Sequence, residues 1–418
     1  MGLSIKILGC NGQCKSCYEN SIRNSKDYRN LYDINAVIET LKTEMDKDTE
    51  NSRNVPTLHG GEPLILGTKN VEQLLKVIYD KYQRTSIQTN GLLIDERYIE
   101  LFTKYKTSVG ISLDGDTSEL NRGRWNLYNL SNQEIQEYTN LVLENISKCK
   151  KAGLSVSVIT VLRKYNAAPS KLPELIRFLR RLHSEFGIAW VRTNEGIVFD
   201  EKQRKEEELT SSELGLAFVS LASICFSNPN LKWSPYRDVV DVLLGNKNVV
   251  CVLTECDVWH TTAEEPIDGF GGIGNCLKGG GARDGYQVLR TKEIGSERYE
   301  ALKQIPMALG GCKGCRYWKV CKGGCPGAGK DNDWRNKTRF CSAWYSLFTY
   351  VERTLKGLIP GLYLASEGSE SFKETFSGII NRNSYSDYSK LKKKVDEYID
   401  RHGDSPHGDH TDYSGRIR

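Results

Sequence analysis

Short apolar or β-branched runs alternate with longer amphipathic stretches through the first half of the chain, an alternation that admits little besides a parallel sheet built from βα units. The runs are Ser4 to Gly9, Val55 to His59, Thr85 to Thr89, Ser108 to Leu113, Leu154 to Leu162 and Ile188 to Val191. Between them, Asn35 to Met45, Val71 to Tyr82, Glu134 to Lys150 and Pro173 to His183 carry apolar residues three and four apart, the period of a helix with one buried face. Six such units predict an α/β fold, an open, partial (β/α)6 barrel of the TIM-like kind, over residues 1–199.

The charged stretch 200–212 breaks this pattern and is read as a boundary, with a bridging helical segment over 213–248. From Cys251 the composition shifts to Gly and Cys, so residues 251–345 have little apolar core and need cross-links to hold them. A helix is expected from Ala343 to Leu358, and the polar residues from about Gly403 to Arg418 read as a disordered tail.

Fifty-eight basic and 53 acidic residues, dispersed along 418, give a net charge of +5, too mild and too scattered for a nucleic-acid partner. No apolar run approaches the length of a membrane span, and Met1 to Gly9 lacks the features of a secretory signal, so a cytoplasmic protein is expected. In such a setting thirteen cysteines point to metal or cluster ligation rather than to disulfides.

Cys10, Cys14 and Cys17 have the spacing C-x3-C-x2-C and follow the first predicted strand directly, at the end where barrels of βα units carry their chemistry. Three thiolates on one tight loop suit three irons of a 4Fe-4S cube and leave the fourth iron open. Zinc is the plainer alternative, but it takes four ligands at short spacings and the next cysteine is Cys149. The second strand ends in His59, Gly60, Gly61, Glu62 and Pro63, where the two glycines let a ligand approach the backbone. The third and fourth end in Gln88-Thr89-Asn90-Gly91 and Ser112-Leu113-Asp114-Gly115, which also read as plain turns.

On these residues the chain resembles the radical S-adenosylmethionine (SAM) superfamily, whose motif is C-x3-C-x2-C followed by an aromatic residue, here Tyr18. The resemblance implies that Cys10, Cys14 and Cys17 hold a cluster that binds SAM, and that Gly60, Gly61, Glu62 and Pro63 match the family's GGEP motif, which receives the amino group of SAM. It implies that Asn90, Ser112 and Asp114 line the cofactor pocket and that Arg122 or Arg124 meets the methionine carboxylate, although a solvated arginine is the simpler reading of each. The implied reaction is reductive cleavage of SAM to a 5'-deoxyadenosyl radical that abstracts a substrate hydrogen, with an electron from a flavodoxin or ferredoxin.

The remaining pattern is Cys256, Gly271 with four residues to Cys276, then Cys312, Cys315, Cys321, Cys325 and Cys341. It resembles the SPASM extension of radical enzymes that modify peptides, although a thiolate quartet suits zinc as well. By that resemblance Cys312, Cys315, Cys321 and Cys341 hold one auxiliary 4Fe-4S cluster, and Cys256, Cys276 and Cys325 a second, which Cys251 completes or leaves open. Cys149 and Cys225 read as ordinary buried thiols.

The family divides between maturases of ribosomally made peptides, which form thioethers or carbon-carbon cross-links, and anaerobic sulfatase-maturating enzymes, which make formylglycine. The latter carry Asp after the Cys matching Cys276; here it is Leu277, which favours a peptide maturase. Asp257 and Asp284 are substitutes without support, and a non-catalytic electron carrier or metal-stapled scaffold would need no GGEP pocket. So close to Met1, Cys10 leaves no room for an N-terminal peptide-recognition domain, so residues from Gly361 onward or a separate small protein would supply recognition. His402, His407 and His410 read as part of a solvated tail rather than as metal ligands.

Overall fold

The computed structural model describes residues 2–7, 9–12, 14, 15, 17, 32–48, 55–125, 130–198, 201–245, 249–253, 264–274, 276, 298–358, 362 and 364–367. Tyr18, Cys256, Asp257, Leu277, Asp284, the three histidines from His402 to His410 and the stretch from Gly403 to Arg418 lie outside these residues.

The strands are β1 (Gly2–Ile7), β2 (Thr57–Gly60), β3 (Thr85–Thr89), β4 (Thr107–Ser112), β5 (Val156–Leu162), β6 (Trp190–Glu195), β7 (Lys232–Ser234) and β8 (Glu264–Ile267). The principal helices are α1 (Ile34–Asp46), α2 (Gly67–Tyr82), α3 (Glu96–Lys104), α4 (Asn132–Lys151), α5 (Leu172–Phe186), α6 (Ser211–Ser227), α7 (Tyr236–Leu243) and α8 (Cys341–Leu358). Contacts divide the described residues into two compact units, one of residues up to 209 with 264–276, the other of 210–253 with 298–367.

In the first unit β1 to β6 pair in sequence order, every pair parallel, as βα crossovers require. The six predicted strands are all present, with ends shifted by a few residues. β8 was not expected: it adds to the far side of β1, Leu3 beside Glu265 and Ile5 beside Ile267. Its sequence, Glu-Glu-Pro-Ile, has no strand signature, and the Pro266 carbonyl accepts from Gly274 N–H at 2.8 Å. The charged run that was read as a boundary contains a short helix, Glu201–Glu207.

The two faces of the sheet differ. Ile5, Leu58, Ile87, Val109, Ile111, Val158 and Val191 are buried on the outer face, and helices cover it through residues such as Val71, Leu74, Leu75 and Ile78 of α2. On the inner face Lys6 and Ser86 are buried, whereas β5 alternates the buried Val156, Val158, Thr160 and Leu162 with the half-exposed Ser157, Ile159 and Val161. The helices begin where local chemistry supplies acceptors for their first N–H groups. Asp33 caps α1, and Ser131 with Glu134 forms a capping box on α4; such caps contribute about 1 kcal/mol each.

In the second unit α6 packs against α8, with Phe218 edge-on to Trp344 at 5.2 Å and Phe226 stacked on Tyr350 at 6.2 Å. Cys225 in α6 and, in the first unit, Cys149 in α4 are fully buried, as ordinary core thiols. Among the described residues no single helix is long and apolar enough to cross a bilayer.

Candidate active site

The loop after β1 is bound to the end of β2 by backbone alone: Gly61 N–H donates to the Ile7 carbonyl (2.8 Å) and Glu62 N–H to that of Gly9 (2.7 Å). The approach is so close that a Cβ on Gly61 would stand 1.9 Å from the Gly9 oxygen, so only glycine fits. Lys15 N–H donates to the Gly123 carbonyl (3.1 Å) and Asn90 Nδ2 to Asn11 Oδ1 (2.7 Å), which brings the ends of β3 and β4 to the same loop. Cys10, Cys14 and Cys17, all half-buried, therefore share one loop with the segments around Gly61, Asn90 and Gly123.

Whether this loop suits a cluster can be judged from its donors. Gly12 N–H points at Cys10 Sγ at 3.2 Å, the kind of amide-to-sulfur bond that tunes iron-sulfur centres. Burial first, then Glu62 and the thiols of Cys14 and Cys17, pushes the Cys10 thiol up. No three His, Cys, Asp or Glu side chains among the described residues are placed to share one metal ion.

Glu62 is completely buried, and its carboxylate accepts from Leu64 N–H (3.1 Å), the Thr89 hydroxyl (2.7 Å) and Asn90 N–H (2.6 Å). It therefore ties the end of β2 to the end of β3. Burial pushes this carboxyl up to about 7, against the pull of those three donors. An acid raised on folding stabilises while protonated, so its contribution is whole below its usual 4.5 and is lost as the pH rises through about 7. We expect denaturant melts to show the parent losing up to about 3 kcal/mol relative to Glu62→Gln between these limits; parallel pH curves for the two proteins would exclude it.

Asp114 is 2% exposed and lies at the centre of a second network. It accepts from Val161 N–H (2.8 Å) and the Tyr165 hydroxyl (3.2 Å), and pairs with Arg124 Nε at 2.9 Å. Arg124 is thus buried and turned to Asp114, whereas Arg122 is exposed with its guanidinium 5.8 Å from the Tyr165 ring centre. Ser112 is half-exposed and accepts from Gln88 Nε2 at 2.9 Å. Trp125 was not anticipated: it is fully buried at φ +48°, rare for a bulky side chain, and its Cδ1 would lie 3.7 Å from a Cβ on Gly12. Its only sequence signal is an aromatic residue closing Arg122-Gly123-Arg124.

In the second unit Cys312, Cys315, Cys321 and Cys341 are near enough to influence one another's thiols. Burial, then Cys315 and Cys341, pushes the Cys312 thiol up to about 12, and burial with Cys341, Cys312 and Cys315 raises Cys321. Their loops are held by Arg298, 1% exposed, whose guanidinium donates to the carbonyls of Trp334 (2.9 Å) and Gly324 (3.1 Å) among others. A buried arginine facing carbonyls carries no sequence motif and was missed. Cys325 is buried and Cys251 half-buried in this unit, while Cys276 lies just beyond β8 in the first.

Residues 4–179 match the Radical SAM superfamily model. The chain is 22% identical over 364 residues to a cysteine-type anaerobic sulfatase-maturating enzyme of Clostridium perfringens (strain 13 / Type A), covering 82% of this chain and 93% of that protein. It is 27% identical over 169 residues to a serine-type enzyme of Bacteroides thetaiotaomicron, covering 38% of each. In structure it resembles anSMEcpe with bound AdoMet and Cp18Cys peptide, with a TM-score of 0.65 and 19% identity over 85% of this chain and 98% of that one; this likeness concerns the fold.

Proposed function

We propose that this chain, a radical SAM enzyme, acts on a side chain of a peptide or protein substrate, as a maturase. When bound, the cluster and SAM supply a 5'-deoxyadenosyl radical that removes a substrate hydrogen. Cys10, Cys14 and Cys17 would hold the cluster, Gly60 and Gly61 let the loop after β1 close on the end of β2, and Glu62 joins the ends of β2 and β3. Cys312, Cys315, Cys321 and Cys341 hold an auxiliary cluster, and Cys251, Cys256, Cys276 and Cys325 serve another. Clusters bound there would offer the substrate's second electron a way out, making the net change an oxidation by two electrons. A flavodoxin or ferredoxin class of donor supplies the starting electron.

The observation that carries the choice of product is Leu277 directly after Cys276, where the sulfatase-maturating pattern has Asp; without that base, cross-linking is favoured over formylglycine. Formylglycine formation stays as the second reading because the likeness to a sulfatase-maturating enzyme runs over 82% of the chain. The test is to incubate the reconstituted chain, SAM and a reductant with a Cys-containing sulfatase-type peptide and with short Cys-rich precursor peptides. A cross-link with loss of two hydrogens from a precursor supports the proposal. An aldehyde trapped by a hydrazide on the sulfatase-type peptide overturns it in favour of formylglycine.

A further inference from the structure

The excess positive charge of the chain is gathered in one segment of the second unit. From Cys312 to Cys341 there are eight Lys or Arg residues against Asp331 and Asp333, a net charge of +6, whereas the whole chain carries +5. The placement follows the cysteines: Lys313, Arg316 and Lys322 come directly after Cys312, Cys315 and Cys321. Tight turns set the two kinds of residue apart. Cys315 N–H donates to the Cys312 carbonyl (2.9 Å) and Cys321 N–H to that of Tyr317 (2.8 Å); Cys312 is buried and Cys315 half-buried, while Lys313, Arg316 and Lys319 are exposed.

A second stretch joins the first through its backbone. Lys337 N–H donates to the Gly310 carbonyl (2.9 Å) and Lys330 N–H to that of Lys337 (2.9 Å), which brings the loop bearing the exposed Arg335 against the one that leads into Cys312. Nearby acids do not cancel the charge. Arg335 pairs with Asp333 at 3.1 Å, already counted, and Arg316 with Glu352 at 2.5 Å. Glu352 and Glu367 share Lys356, so adding all three lowers the surplus only to +5. Leu309, 72% exposed, stands just ahead of Gly310 as an apolar neighbour to these cations. Attraction over a distance depends on the net charge of a region rather than on unpaired groups, and such a surplus speeds encounter with an oppositely charged protein by about tenfold or more. Electron-transfer complexes are small and form on surfaces of this kind. Trp334, beside Arg335, is 9% exposed and offers no open face on which a nucleic-acid base could stack.

We propose that this segment docks an acidic one-electron carrier protein, of the flavodoxin or ferredoxin class, which takes an electron from the auxiliary cluster of Cys312, Cys315, Cys321 and Cys341. This inference rests on the reading of those cysteines as cluster ligands. One electron moves: the reduced cluster loses it, the oxidised carrier gains it, and no bond forms or breaks. Stopped-flow mixing of the reconstituted, photoreduced full chain with oxidised flavodoxin reads the transfer as flavin semiquinone.

The second-order rate is expected to fall about tenfold or more from low to high salt, and by about tenfold at low salt when Lys313→Glu, Lys319→Glu and Arg335→Glu are combined. The same three changed to Gln are expected to give a rate between the two, since charge sets it. Iron content and circular dichroism check that the variants are folded and loaded, and the salt series on the parent stands without them. With Cys10, Cys14 and Cys17 replaced by Ala, the transfer is expected to persist. A rate indifferent to salt and to charge reversal overturns the docking surface and leaves the auxiliary cluster in place. Transfer lost in the iron-loaded Ala variant overturns it by assigning the exchange to the SAM cluster. An Ala variant without iron overturns both. Polyglutamate bound as tightly as flavodoxin, and released by the same charge reversal, overturns the carrier in favour of an acidic peptide.

Discussion

Replacing Cys10, Cys14 and Cys17 together by Ala is expected to remove about four irons per chain from the reconstituted protein and to lower 5'-deoxyadenosine formation to background. The three half-buried thiols sit on the one loop that follows β1. The fold should persist, because Gly61 N–H, Glu62 N–H and Lys15 N–H hold the loop without using the sulfurs. The second-unit cysteines are untouched, so the iron that remains reports on the auxiliary sites. Iron and sulfide analysis beside a product assay checks both halves; full iron content in the triple variant would show that other residues hold the cluster.

The second large effect is on stability. Arg124→Met leaves the Asp114 carboxylate buried, with Val161 N–H and the Tyr165 hydroxyl but without its cation. Breaking one side of such a pair costs about 3–5 kcal/mol, which in a domain of this size lowers Tm by roughly 10 °C. Arg122→Met should cost no more than about 1 kcal/mol, because the exposed guanidinium lies over the Tyr165 ring face. Thermal melts of the two variants make the contrast. Were Arg124 instead the residue that meets the SAM carboxylate, its loss would spare Tm and weaken SAM binding.

The elements that could be read in the sequence are those that repeat. β-branched runs and helical periods marked β1 to β6 and their helices because each is buried on a face of its own period. β8 escaped because its strand character comes from its neighbour: Glu-Glu-Pro-Ile pairs with β1 without any propensity of its own. At the site, Cys10, Cys14, Cys17 and Glu62 were legible from spacing and place on the strand ends.

Their partners were not. Asp114 and Arg124, ten residues apart, were read as separate pocket residues, yet the fold pairs them with each other. Arg298 and Trp125 act through carbonyl groups and shape, which leave no pattern in a sequence.

The central claim is that the Cys10 loop directs SAM to radical chemistry. The measurement that tests it most directly is anaerobic reconstitution with iron and sulfide, followed by assay of 5'-deoxyadenosine from SAM under reducing conditions. Product from the parent and none from the Cys10, Cys14 and Cys17 to Ala variant is the predicted result. No product from a parent shown to carry its full complement of iron would contradict the account.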